Sequence, residues 1–311
     1  MSESRRFLVL GGAGRLARAF IDEFEAFGID HAAPPRALVD VTDRASLERA
    51  LEEHHPDVVI NTAAWTDVAG AEENPDAARA VNAVGAGLVG EVFGGRVEEI
   101  VHFSTDFVFP GTGSEPWTEA DRPDPASLPG VYGRTKLEGE LLLREAAPQA
   151  RIIRAGWLHG RGRDFISAVL GQALQGRDLT VVDDEWGTPT SYDALAAWTL
   201  DWLASVRPDE GERLVHHVGA GPWVNRFELA RHALAHAVDR LSGRPEAARF
   251  ARALSGMKAV STPQGFRPKN TRLATLFADS LPPVRPWGEG VDKSVDKFLE
   301  ENVDLWITWW V

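Results

Sequence analysis

A chain of 311 residues with 33 basic and 46 acidic side chains carries a formal charge of −13, which argues against general nucleic-acid or anionic-membrane binding. A local arginine or helix N-terminus can still hold a phosphate. The chain has no cysteine, so a disulfide frame, a thiolate nucleophile and a cysteine-based zinc site are excluded.

The length exceeds one ordinary core and predicts two lobes or one large α/β unit. No uncharged apolar run approaches the roughly 20 residues of a membrane span. The polar segment Met1–Arg6 leads straight into a strand with no signal-peptide core, and a cytoplasmic protein is expected. No Asp/Glu/His cluster has metal-ligand spacing, so no metal is expected.

In chain order, the apolar run Phe7–Leu10 is followed at once by Gly11-Gly12-Ala13-Gly14-Arg15-Leu16-Ala17 and then by an amphipathic helix through Phe20, Ile21 and Phe24. Strand, glycine turn and helix form the context in which a pyrophosphate sits on a helix N-terminus. Gly11 and Gly14 would give the tight turn and the close backbone approach, and Ala17 the helix–strand packing. A second strand and turn is predicted over Ala37–Asp43, including Asp40 and Val41. Arg36 just before it fits a ribose 2′-phosphate, which favours NADPH over NADH.

Helix Ala45–His54 precedes strand Asp57–Ile60, whose end Asn61-Thr62-Ala63-Ala64-Trp65-Thr66 is small enough for a cofactor to lie close. One helix is predicted from Pro75 to about Phe93, with Asn82 inside it. Strand Glu99–Phe103 delivers Ser104, Thr105, Asp106 and Phe107 toward a nicotinamide. The Gly/Pro-rich loop 110–130, with Trp117, Glu119 and Asp121, is expected to fold over a substrate. A helix starts near Val131, and strand Arg151–Ala155 ends in Gly156-Trp157. Alternating strands and helices predict a parallel, doubly wound sheet.

Beyond Ala155 the pattern loosens. Helix Phe165–Gln175, strand Leu179–Val182, helix Asp193–Ser205, strand Val215–Val218 and helix Arg226–Leu241 are expected. The predicted division is a dinucleotide-binding Rossmann-type domain over 1–155, to which helix 191–206 returns. A smaller α/β substrate lobe takes 156–190 and 207–311. The amphipathic end Asp296–Val311, closing on Trp306-Ile307-Thr308-Trp309-Trp310, reads as a packing face or a dimer contact, leaving monomer or homodimer open.

Tyr132 and Lys136 lie four residues apart, on one face of the predicted helix. A phenol loses its proton near pH 10, and an adjacent ammonium lowers that value. The chain has only two tyrosines, so few phenols compete for the role of acid. Reduction of a ketone needs a hydride donor beside the carbonyl and a proton source at its oxygen.

Gly11–Ala17, Asn61–Glu72, Ser104–Phe109, Val131–Glu140, Arg154–Trp157, Gly187-Thr188-Pro189-Thr190 and Arg267–Leu273 together resemble the dTDP-4-dehydrorhamnose reductase family of extended short-chain dehydrogenases/reductases. The resemblance runs over nearly the whole chain. It implies NADPH-dependent reduction of the C4 ketone of a dTDP-linked 4-keto-6-deoxy sugar, most specifically dTDP-4-dehydrorhamnose to dTDP-rhamnose. Tyr132 would be the acid, Lys136 its partner on the nicotinamide ribose, and Thr105 a donor to the carbonyl or phenol.

Gly11, Gly14, Arg15, Leu16, Arg36, Asp40, Val41, Ala63, Ala64, Trp65, Thr66, Asn82 and Ser104 would complete the cofactor site. Thr105, Asp106, Phe107, Trp157, Arg267 and Asn270 would meet the substrate; for Arg267 and Asn270 the alternatives are a salt bridge or a loop cap. The family usually has tyrosine at Phe107, tyrosine or histidine at Trp65, and asparagine at Gly130. Two other readings stay open. One is a non-catalytic regulatory subunit resembling the methionine adenosyltransferase β subunit. The other is a sugar-nucleotide epimerase or dehydratase, although Asp106 lacks the following glutamate that dehydratases use.

Overall fold

Short apolar runs become the buried strands of one parallel sheet. The computed structural model describes residues 5–205, 214–219, 222–263 and 265–304. Strands β1 (Phe7–Leu10), β2 (His31–Ala32), β3 (Val58–Asn61), β4 (Glu99–Thr105) and β5 (Arg151–Ala155) pair in the order β2-β1-β3-β4-β5. The strand Val215–Val218 adds parallel to β5 at the far edge. From β1 the chain moves to β2 on one side and then to β3 on the other, so the crevice opens above the carboxyl ends of β1 and β3.

Two expectations change. The second strand is His31–Ala32, not Ala37–Asp43; Pro34 and Pro35 break the ladder, and the segment after them turns, with Leu38 N–H donating to Pro35 O. The main sheet also extends to Val218, past the position 207 at which the sequence would end it. A four-residue strand gives too little periodicity to assign to a sheet.

Both faces of the sheet are covered. Helix α1 (Arg15–Phe27) and the helix Tyr192–Ser205 bury Phe20, Phe24, Leu195 and Trp202 on one face. Helix α2 (Arg44–His54) and the helices Gly85–Phe93 and Val131–Ala146 bury Leu47, Val89, Phe93 and Leu143 on the other. Helix α1 ends where Gly28 takes a left-handed conformation, φ 64°.

A separate apolar core joins helices Phe165–Leu174, Arg226–Arg240, Ala247–Gly256 and Trp287–Leu299 through Leu170, Leu234, Phe250 and Val295. Capping boxes begin the first two of these helices, at Asp164 with Ser167 and at Asn225 with Glu228. Of the expected aromatic tail, residues 305–311 lie outside the described residues. Among the described residues no helix is long and apolar enough to cross a membrane.

The loop after β4 is tied down as a strap. Trp117 stacks on Phe109 with ring centroids 4.8 Å apart and planes within 3°. Its backbone exchanges hydrogen bonds with Arg272 O and Ala274 N, and its indole donates to Asn270 O at 3.0 Å. Glu119 accepts from the backbone N–H of His217 and of Leu276, both at 2.9 Å. Tied at both ends, this segment is held against the sheet edge.

Candidate active site

The turn after β1 is built for close approach. Gly11 has φ 82°, and a Cβ there would lie 2.9 Å from the Ala63 backbone. At Gly12 a Cβ would come within 2.0 Å of Ala33 O, so no other residue fits. Gly14 caps α1 without any side-chain hydrogen bond, and the first turn holds no acidic residue. The leading N–H groups therefore remain available, and a helix start with free N–H groups favours phosphate.

A cleft of 240 Å³ opens beside the turn, lined by Gly11, Gly14, Val41, Ala63, Ala64 and Trp65, with Arg36 and Asp40 at one end. These residues fit an adenosine diphosphate. Arg36 is largely exposed, and its Nε donates to Asp40 at 3.1 Å. Burial works against the Asp40 carboxylate, but hydrogen bonds from Thr42 and the Arg36 charge hold it below its usual value. The Leu16 side chain is buried, so it can offer a ligand only its backbone. Arg15 reaches across to Arg163 O and lies 5.4 Å from the Tyr192 ring centre. Thr66 is exposed.

Asn82 works indirectly. The expected single helix over Pro75–Phe93 is interrupted by a π-turn, Ala80–Val84, which carries Asn82. Its Oδ1 accepts from Trp65 N–H at 2.8 Å, and its Nδ2 donates to Trp65 O at 3.2 Å and to Thr135 Oγ1 at 3.2 Å. The amide is spent pinning the loop after β3 to the helix that bears Tyr132. That helix fits closely: a Cβ on Gly139 would stand 2.0 Å from Asn82 O, and one on Gly133 2.2 Å from Phe107 O.

Gly130 leaves the start of this helix without a side-chain cap of its own. Glu72 supplies one, accepting from Val131 N–H at 2.5 Å. A Cβ on Gly130 would crowd Phe266 O at 2.8 Å and Glu72 Oε1 at 3.0 Å. The glycine makes room for a cap borrowed from another helix.

Tyr132 packs its ring edge-on to Phe107, centroids 5.5 Å apart and planes at 74°, with Thr105 beside its hydroxyl. Thr105 also donates to Asp106 Oδ1 at 3.0 Å. The expectation that Lys136 lowers the Tyr132 pKa is corrected here. Burial pushes the phenol above its ordinary value, and the Asp106 charge adds to that. The Lys136 Nζ instead donates to Phe103 O at 2.7 Å and stands 3.3 Å from His102 Nε2. Tyr132 therefore keeps its proton at neutral pH, the form an acid catalyst requires. Burial pulls the Lys136 ammonium down to about 8, opposed by the charge of Glu140 one turn on.

The Ser104 hydroxyl donates to Glu140. Glu140 also receives Arg154 through two bonds, Nε to Oε1 at 3.0 Å and Nη2 to Oε2 at 2.6 Å. Tyr132, Lys136 and Glu140 thus share one helix face at intervals of four, and the last of them anchors that face to β5.

Burial pushes the Asp106 carboxyl up to about 6, against the hydrogen bonds of Thr271 and Thr105 and the Arg226 charge. Its Oδ2 faces Gly156, where a Cβ would lie 2.5 Å away. Trp157, in a left-handed conformation at φ 44°, donates its indole N–H to Thr271 at 3.1 Å. Its ring lies beneath the Arg226 guanidinium at 3.5 Å. Arg226 is a cation in this cluster that motif reading did not find, because it opens a helix far along the chain.

Asn270 proves to be a loop staple. It donates to Glu115 O at 2.8 Å and Thr112 O at 3.4 Å, and accepts from Arg272 N–H at 3.3 Å. Arg267 is exposed, near the Phe266 ring. Sequence reading also passed over Gly12, Asn61, Glu72 and His102. Gly12 sits in a triplet of small residues, whereas the others carry no spacing signal.

The family model of the RmlD substrate binding domain matches residues 5–300. A dTDP-4-dehydrorhamnose reductase of Salmonella typhimurium is 33% identical over 84% of this chain and 86% of its own. The chain belongs to the dTDP-4-dehydrorhamnose reductase family. A dTDP-4-keto-6-deoxy-D-glucose reductase of Streptomyces niveus is 35% identical over 73% of this chain and 76% of the relative. The crystal structure of a dTDP-4-dehydrorhamnose reductase from Clostridium acetobutylicum superposes with a TM-score of 0.80 at 28% identity, covering 94% of this chain and 99% of that one. The parallel sheet and its crevice are therefore those of a reductase family.

Proposed function

We propose that this chain reduces the C4 ketone of a dTDP-4-dehydro-6-deoxyhexose, most specifically dTDP-4-dehydrorhamnose, with Tyr132 as proton donor and NADPH as cofactor. One observation carries the reading: the buried Tyr132 ring lies edge-on to Phe107 at the carboxyl end of β4, one strand from the cleft beside the glycine turn. Reduced nicotinamide, when bound, supplies the hydride. Tyr132 holds the proton that the developing alkoxide needs, and Thr105 orients the phenol toward it. Donors fixed in advance at the oxygen favour the transition state over the ground state, because charge appears there only as the bond to carbon forms.

Lys136, charged below about pH 8, would hold the nicotinamide ribose from the same helix face as Tyr132. Arg36 at the cleft end supports the 2′-phosphorylated cofactor. Asp106 and Trp157 supply a polar acceptor and an apolar wall for the sugar. Arg267 supplies an exposed guanidinium for the diphosphate.

The experiment is a panel of dTDP-, UDP- and GDP-linked 4-keto-6-deoxy sugars, followed by loss of NADPH absorbance across pH. NADPH is expected to be consumed with the dTDP sugar. Lys136 passes from ammonium to amine near pH 8 while Tyr132 stays protonated, so kcat/KM is expected to hold steady up to about pH 8 and fall above it. No consumption with any sugar would defeat the reading.

A further inference from the structure

Beneath Lys136 lies a polar pair that the reaction does not visibly use. His102 on β4 and Asn61 on β3 are each 1% exposed and directly opposite in the ladder. The Asn61 amide has a fixed direction, because Ala63 N–H donates to its Oδ1 at 3.1 Å. Its NH₂ end then faces His102 Nδ1 at 3.0 Å. An amide nitrogen has only hydrogens to offer, so Nδ1 must accept and the neutral ring carries its proton on Nε2. Burial, followed by the Lys136 charge, holds the imidazole pKa well below its usual value, so the ring stays neutral.

That proton points at Lys136 Nζ, 3.3 Å away. Opposite an ammonium, N–H meets N–H, two donors with no acceptor between them. Opposite an amine, Nε2–H donates to the nitrogen lone pair. Phe103 O, at 2.7 Å, accepts a lysine hydrogen in either state and does not discriminate. The other charged group near the lysine, Glu140, pulls the opposite way and is itself held by Arg154 from β5.

We infer that Asn61 and His102 are positioning residues that lower the proton affinity of Lys136, because the amide fixes the ring so that its Nε2–H faces the lysine nitrogen as a donor. The inference rests on the reading of Lys136 as part of the reducing site.

The test measures the lysine directly. The chain has five lysines, so ¹³Cε labelling of the full protein gives few signals, and loss of one in Lys136→Arg assigns Lys136. Its midpoint is expected near 8 in the unaltered protein. It is expected to rise by about one pH unit, a tenfold gain in proton affinity, in both His102→Leu and Asn61→Leu. The double variant should rise no further, since both act through one hydrogen. ¹⁵N spectra of the unaltered protein should show the His102 proton on Nε2.

A midpoint that stays put in folded variants, or a proton on Nδ1, overturns the inference. Should either variant fail to fold, the ¹⁵N spectrum alone decides. Neither measurement needs turnover, so failure of the reductase assignment would be seen separately in the sugar panel.

Discussion

Replacing Tyr132 with phenylalanine should lower kcat for keto-sugar reduction by about 10² to 10⁴-fold, the range that a positioned general acid contributes. The ring stays where it is, since its edge contact with Phe107 and the fit of Gly133 against Phe107 O do not involve the hydroxyl. Cofactor affinity should change little, because the glycine turn and the cleft beside it are formed by β1, β3 and the segment after β2. Steady-state kinetics with an NADPH-binding titration on the same preparation check both halves. A variant that turns over normally would remove the phenol from its assigned part.

The largest effect on stability is expected at Glu140. Its carboxylate is buried with Arg154 and accepts from Ser104 as well. Burial raises the cost of its charge, but Arg154 outweighs burial and holds the pKa below the ordinary value. In Glu140→Leu the Arg154 guanidinium would remain buried with the Phe109 ring at 5.2 Å and His217 Nε2 at 3.4 Å. His217 cannot replace a carboxylate, since burial and then the Arg154 charge keep it neutral.

Breaking a buried pair from one side costs about 3–5 kcal/mol, and urea denaturation at neutral pH should show a loss of that size. Glu140→Leu combined with Arg154→Leu should recover much of it, because the buried guanidinium is removed together with its partner. The pair's contribution has a definite pH sense. The folded pKa of Glu140 is depressed, so its stabilisation is present above the unfolded value and is lost as pH falls through the folded one.

Where sequence alone led, it did so through local chemistry. The run Phe7–Leu10 ahead of a glycine turn leaves few alternatives to a buried strand entering a helix. The four-residue interval between Tyr132 and Lys136 put both on one face as soon as a helix was assumed. What stayed hidden depended on partners distant in the chain. Tyr132 and Lys136 share a face, yet the lysine is drawn to Phe103 O and His102 across 33 and 34 positions.

Asn82 looked like a cofactor ligand inside a uniform helix, but a π-turn aims it at Trp65, 17 residues back. Asn270, in a motif shared with the family, is consumed by carbonyls more than 150 positions away. Helices Ala247–Gly256 and Trp287–Leu299 follow Pro- and Gly-rich sequence whose weak punctuation gave no clear start. Such residues acquire their roles from tertiary contacts that no window of neighbouring sequence contains.

The most direct measurement is isotope transfer. NADPH carrying deuterium at the nicotinamide C4 position is incubated with the protein and dTDP-4-dehydrorhamnose, and the product is read by NMR and mass spectrometry. The account predicts one deuterium, bound to C4 of the sugar, in the protein with Tyr132 intact. Product without deuterium, or with deuterium at another carbon, would contradict hydride delivery to that ketone.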